Sequence, residues 1–212
     1  MSLDRRLALL DWARGADAWI LEDDYDSEYR FSGRPLEALQ GLDYAGRVLY
    51  IGTFSKVLFP ALRLGYLIAP IDLVEPLLAM RRFIDVHIPM LEQIALADFM
   101  NEGYFARHLR HMLQHYRQRR DLLQRELQTH LGDLLEVHAP EAGMHLVGWL
   151  SPDKDDQQAA KLAAQVGIEV MAVSQYSLEP LCRGGLIFGY AGNDEEAITI
   201  GVKKLAAALE RL

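Results

Sequence analysis

Two stretches decide the fold: WILEDDYDSEYRFSGRPLEALQGLD (residues 19–43) and RVLYIGTFSKVLFPALRLGYLIAP (residues 47–70). Ala18-Trp19-Ile20-Leu21 is apolar without alternation, as is Arg47 to Gly52 beyond its first residue, which is the pattern of strands buried on both faces. A third such run, Leu62 to Ala69, follows Pro60 and is closed by Pro70. Strands alternating with connections in this way predict an α/β fold with a mostly parallel sheet covered by helices. Ligands of such sheets sit beyond the carboxyl ends of the strands. The first strand runs straight into Glu22-Asp23-Asp24-Tyr25-Asp26 and the second into Thr53-Phe54-Ser55-Lys56, so both clusters are expected to face one crevice. Carboxylates at a strand's end are expensive to bury and belong at a rim or at a site.

Outward from this core, Leu3 to Arg14 suits an amphipathic helix ending at Gly15, and Phe31 to Pro35 reads as a turn leading to a short connection up to Gly41. Asp72 can N-cap a helix to about Phe83, and Pro89 suits the first turn of the next. From Tyr104 to Leu131, Leu109, Met112, Leu113, Tyr116, Leu123, Leu127 and Leu131 form one apolar stripe, predicting a long one-sided helix. Beyond Gly132, strand-like pieces at 134–138, 145–150, 168–173 and 186–190 surround a helix near 155–166, and a last helix runs from about Asp194 to Leu212. The predicted domains are residues 1–103, a connecting helix over 104–131, and a smaller α/β unit over 132–212.

The chain has 212 residues, 50% apolar and 25% charged, which excludes disorder and low complexity. Lys+Arg 22 against Asp+Glu 30 gives −8, so bulk charge does not favour nucleic acid. The apolar runs are too short to span a bilayer, and the N-terminus lacks the apolar core of a signal peptide. The single Cys182 cannot form an internal disulfide, which fits a reducing cytoplasm.

Lys56 is the leading chemical candidate. A lysine amine becomes a Schiff-base nucleophile when desolvated or when held against a carbonyl cofactor. Pyridoxal 5'-phosphate (PLP) also needs a carboxylate at its pyridine nitrogen, and hydroxyls with a guanidinium at its phosphate. Asp23 ends the preceding strand, and alternation puts Tyr25 on its face, where a phenol can reach a ring oxygen. Thr53, Ser55 and Arg63 flank Lys56 in sequence and can together bind a phosphate dianion. A lone lysine would be read as a surface residue; the joint pattern argues otherwise.

These residues resemble the PLP-binding region of MocR-type regulators of the GntR superfamily. RRLALLDWA, HLRHMLQHYRQRRDLL, EAGMHL and LIFGYAGNDEEAI extend the resemblance essentially end to end. Such proteins join a winged helix-turn-helix DNA-binding domain to a fold-type-I aminotransferase-like domain. The resemblance implies Lys56 as the covalent PLP lysine, Asp23 at the pyridine nitrogen, Tyr25 at the ring hydroxyl, and Ser55 and Arg63 at the phosphate with Thr53 close by. It further implies an effector-sensing and dimerisation role, with an amine or amino-acid effector, a homodimer, and DNA contact through a domain outside this chain. The chain is expected to begin in mid-domain, lacking the first half of the large domain, so that the cofactor site is incomplete. Aminotransferases of this fold usually carry an arginine in the small domain for the substrate carboxylate, and Ile187 stands roughly there, which argues against ordinary transamination. The alternative reading is a PLP-dependent aminotransferase of the aminoadipate or aromatic type sharing the same residues.

Other clusters read more plainly. Glu22, Asp24, Asp26 and Glu28 are expected to form a solvated rim, and His108, His111 and His115 a polar helix face with no metal. His145 suits either a cofactor cleft or a satisfied strand position, and the direction of Arg183 is open. Gly184, Gly185, Gly189 and Gly192 lack dinucleotide-site spacing.

Overall fold

A computed structural model describes residues 1–33, 37–85 and 89–212; the expected turn and connection over 31–41 lie partly outside them. The chain divides into two compact units, one of Met1–Glu28 with Arg34–Leu109, the other of Tyr29–Gly33 with Arg110–Leu212.

The first unit runs α1 (Leu3–Gly15), β1 (Ile20–Asp24), α2 (Leu39–Leu42), β2 (Val48–Thr53), β3 (Gly65–Ile68), α3 (Ile71–Ile84), α4 (Met90–Asn101) and the opening turns of α5 (Tyr104–Leu131). Its sheet has the order β1-β2-β3. β1 and β2 are parallel, with Asp23 opposite Ile51 and Asp24 opposite Gly52. β3 returns antiparallel, with Gly52 opposite Tyr66. The sheet is therefore mixed, because the short link after β2 turns the chain back, whereas a parallel return needs a long crossover. Gly52 permits a close approach: a Cβ there would run into the far end of the Tyr66 ring, which would have to shift.

β1 departs from the reading of a strand buried on both faces. Its positions alternate, with Leu21 67% exposed. Leu21, Asp23, Ile51 and Leu67 share a sheet face by register, and Leu21, Ile51 and Leu67 on it are exposed. A run of apolar residues reports the need for cover, and the described residues leave much of this face uncovered. α1 likewise buries only Ala13. Asp72 lies in the first turn of α3, whose N-cap is Pro70.

The second unit is an antiparallel sheet of order β4-β5-β7-β6, formed by Leu135–Val137, His145–Leu150, Gly185–Gly189 and Met171–Ala172. It is joined by α5 from Arg110, α6 (Asp156–Gln165) and α7 (Glu195–Leu209). Leu127 on α5, Leu146 and Leu150 on β5, Leu186 on β7 and Leu205 on α7 are buried in its core. The segment Tyr29–Gly33 is tied in by Phe31 N–H to the Glu141 carbonyl (2.7 Å) and Gly143 N–H to the Tyr29 carbonyl (2.9 Å). The Tyr29 ring stands edge-on to Tyr116 at 4.8 Å, and Arg117 donates to the Phe31 carbonyl at 2.8 Å. Asp156, 3% exposed, accepts from Ser174 N–H (3.0 Å), Ser174 Oγ (2.6 Å) and Gly185 N–H (3.0 Å). Burial pushes its pKa up, but these bonds to the charged form outweigh it and hold the carboxyl below its ordinary range.

Candidate functional site

The parallel pairing of β1 with β2 brings their carboxyl ends side by side. Asp23 is on one, and Thr53 with the loop to Lys56 is on the other. That loop is held at several points. Phe54 N–H bonds the Leu64 carbonyl at 3.0 Å, and Leu58 N–H bonds the Phe54 carbonyl at 2.9 Å. Thr53 Oγ1 donates to the Leu64 carbonyl at 3.4 Å and accepts from Ser55 N–H at 3.2 Å. From α5, His108 Nε2 donates to the Val57 carbonyl at 2.9 Å, and the Phe105 ring stands edge-on to Phe54 at 6.0 Å. Val57 is buried, and Lys56 beside it is exposed.

Arg63 sits seven residues on, with φ 50° in the left-handed region. A residue bearing a Cβ pays about 1–2 kcal/mol for that conformation, so its backbone is set by position rather than preference. Arg63 lines a groove of about 600 Å³ with Phe54, Tyr66, Arg81, Gln93 and Met100. Tyr25 lies just past β1, 42% exposed. The Asp26 charge, then burial, then the Asp23 charge push its pKa up, which keeps the phenol protonated and able to donate.

The acidic cluster is less of a solvated rim than the sequence suggests. Glu22 is half-buried and caps α2, accepting from Leu39 N–H (2.8 Å) and Gln40 N–H (3.0 Å). Asp24 accepts from Tyr50 Oη at 2.7 Å on the opposite sheet face from Asp23. Burial first, then the bond to Asp24, raise the Tyr50 pKa strongly. Burial likewise raises that of Glu28. Sequence reasoning missed Tyr50 and Tyr66 and read His108 only as part of a polar helix face, although alternation along β1 and β2 does put Tyr50 on the Asp24 face.

In the second unit, His145 and Ile187 line a cavity of about 470 Å³ with Ala160, Glu169, Met171 and Gly189. Arg183 points elsewhere. Its Nη1 lies 2.6 Å from Glu136 Oε2, and its guanidinium covers the Trp149 ring at 5.3 Å. That bond, with one from His138 at 3.0 Å, lowers the Glu136 pKa.

The donor set fits PLP by its chemistry: a carboxylate at the end of β1, an adjacent lysine loop after β2, hydroxyls at Thr53 and Ser55, and the exposed Arg63 guanidinium. The fold is that of fold-type-I aminotransferases. It matches Pyrococcus horikoshii kynurenine aminotransferase, solved in complex with PMP, at TM-score 0.88 and 26% identity, covering 100% of this chain and 52% of that one. It also matches LysN, the alpha-aminoadipate aminotransferase of Thermus thermophilus, complexed with N-(5'-phosphopyridoxyl)-L-leucine, at TM-score 0.85 and 25% identity, over 99% and 55%. The family of aminotransferase class I and II matches residues 7–205, and the chain belongs to it. Among its curated relatives is the probable rhizopine catabolism regulatory protein MocR of Rhizobium meliloti, 41% identical over 98% of this chain and 42% of that protein. Another is the pyridoxine biosynthesis transcriptional regulator PdxR of Corynebacterium glutamicum, 34% identical over 92% and 42%. The chain thus spans less than half the length of these regulators. Among the described residues no helix is long and apolar enough to cross a membrane.

Proposed function

We propose that this chain is the effector-sensing, PLP-binding and dimerisation part of a MocR/GntR-type transcription regulator. Residues 1–103 would form half of the PLP-binding large domain, 104–131 the connecting helix and 132–212 the small domain. The observation that carries the reading is the side-by-side placement of Asp23 and the Thr53–Lys56 loop at the carboxyl ends of two parallel strands. Asp23 would accept from the pyridine nitrogen and hold its proton. Tyr25, kept protonated by its acidic neighbours, would donate to the ring oxygen. Ser55 and Arg63 would hold the phosphate, with Thr53 beside them bracing the loop through Leu64 and Ser55, and Lys56 would supply the amine for the cofactor's carbonyl. When bound, PLP supplies an electron sink for bonds at an amine-bearing carbon.

The effector of such a site would be an amine or amino acid, the class of ligand whose amino group the cofactor's carbonyl would take. A ligand that prefers one of two states of a protein shifts the population between them. Regulator rather than enzyme is favoured by Ile187, which gives its cavity an apolar wall where an aminotransferase would carry an arginine, and by Arg183 being held by Glu136. DNA contact is assigned to a domain outside these residues, consistent with a net charge of −8, and the working form to a cytoplasmic homodimer. The fold match favours the second reading, an aminotransferase of the aminoadipate or aromatic type.

The test is PLP titration, borohydride reduction and peptide mass spectrometry, with Lys56→Ala as control. One adduct on Lys56, lost in the variant, is expected. Labelling that is scattered over other lysines, or unchanged in Lys56→Ala, overturns the cofactor assignment. Sustained conversion of an amino acid to its keto acid by the loaded protein would decide for the enzyme.

A further inference from the structure

His108, His111 and His115 occupy successive turns of α5, and the structure separates them. His108 is committed to the Val57 carbonyl. His111 and His115 turn toward each other instead, with their Nε2 atoms 3.0 Å apart and their rings at 82°. His111 is exposed and His115 half-buried. We propose that these two side chains form a site for a divalent transition-metal ion of the copper or nickel class, bound through both Nε2 atoms.

The spacing i, i+4 places both rings on one helix face. A hydrogen bond between two imidazoles in contact with water exchanges for bonds to solvent and adds little on its own. A metal–imidazole bond is about 2.0–2.1 Å long. Two such bonds spanning 3.0 Å subtend roughly 94° at the ion, whereas a tetrahedral ion would hold the nitrogens about 3.3–3.4 Å apart. Once the two rings turn out of their mutual hydrogen bond to aim at one ion, a separation of this size suits adjacent corners of a square-planar or octahedral ion such as Cu(II) or Ni(II).

The helix is rich in arginine, but most of these cations are directed to other partners. Arg107 lies over the Tyr104 ring at 4.7 Å, and Arg117 and Arg119 donate to the carbonyls of Phe31 (2.8 Å) and Ala191 (2.7 Å). Arg120 pairs with Asp121 at 2.6 Å. Among the described residues no group of three or more His, Cys, Asp or Glu gathers around an ion position. The remaining corners are thus open to water or to a small donor ligand. An occupied site braces two turns of α5 and stabilises the folded chain by mass action.

The experiment titrates the chain with Cu(II), Ni(II) and Zn(II) in a Cys182→Ser background, because the exposed thiol would itself take copper. One equivalent of Cu(II) with an axial spin-resonance spectrum split by two nitrogens is expected. The affinity order should be Cu over Ni over Zn, with a raised unfolding temperature at saturation. His111→Asn and His115→Asn should each weaken binding by about tenfold or more, and His130→Asn should not. Undiminished binding in the doubly substituted chain, coupling to fewer than two nitrogens, or no binding by the folded protein overturns the site.

Discussion

In the second unit Leu127, Leu150, Leu186 and Tyr190 are fully shielded from solvent, whereas in the first Leu21, Leu67, Ile71 and Phe83 stand 67%, 45%, 82% and 90% exposed. Both units are assembled from similarly apolar strands and helices, so composition does not explain the contrast. Topology does. The second unit's four-stranded sheet has α5, α6 and α7 to bury against, and it closes a core from its own residues. The first unit has three strands and helices that bury little, α3 burying nothing. Large exposed apolar surfaces mark places where a protein binds something else. The first unit is therefore expected to self-associate, and a monodisperse monomer by light scattering at high concentration would break the comparison.

The largest expected effect lies in the closed core. Leu150→Ala should cost about 2–5 kcal/mol, as for other buried leucines, while Leu67→Ala should change stability by less than about 0.5 kcal/mol. Urea unfolding followed by Trp149 fluorescence in a Trp12→Phe, Trp19→Phe background reads the second unit, because the other two tryptophans lie in the first, and hydrogen exchange in β2 and β3 reads the first. Equal costs would remove the distinction between the units.

Asp156 sharpens it from the polar side. Asp156→Ala would leave the Ser174 and Gly185 N–H groups buried without their acceptor, a loss of about 1–3 kcal/mol per stranded group. Because the folded carboxyl is held below its ordinary pKa, its contribution is fully present above about pH 4 and is lost as pH falls through the folded value. Asp156→Asn should flatten that acid limb. An unchanged limb would mean that the carboxylate contributes nothing through its charge.

Within the first unit, Gly52→Ala drives a Cβ into the Tyr66 ring and should cost about 1–3 kcal/mol through overpacking. Adding Tyr66→Ala, which removes the ring, should restore part of this. A double variant no better than Gly52→Ala alone would show that Tyr66 is not the obstacle.

Much of this was legible in the sequence. The α5 stripe gives a helix of the expected bounds because 28 residues of 3.6-residue periodicity admit no other element. The ends of β1 and β2 are marked by the switch from apolar residues to DDYD and TFSK. Burial was not legible, because an apolar run states only that a residue prefers cover, and Leu21 and Trp12 lack it for reasons that lie in other segments. Nor could the reversal of β3 be read, since Gly65–Ile68 carries the same residue types in either direction. The roles of Glu22, Asp24 and His108 depend on partners that only the fold brings near, whereas the i, i+4 spacing of His111 and His115 was visible and only its geometry was new.

The smallest expected effect concerns Arg63. Its left-handed backbone at φ 50° opposes its Cβ, and glycine adopts that conformation without the penalty. Arg63→Gly should therefore leave stability unchanged or raise it by no more than about 1 kcal/mol, offset in part by glycine's greater freedom when unfolded. The same change removes the guanidinium assigned to the phosphate, so PLP affinity should fall while pyridoxal, which lacks the phosphate, should label Lys56 as before. Most substitutions at a site that merely packs lose stability and binding together. Here the two should part: unchanged PLP affinity would remove Arg63 from the site, and a loss of stability would show that its left-handed backbone carries no net cost there.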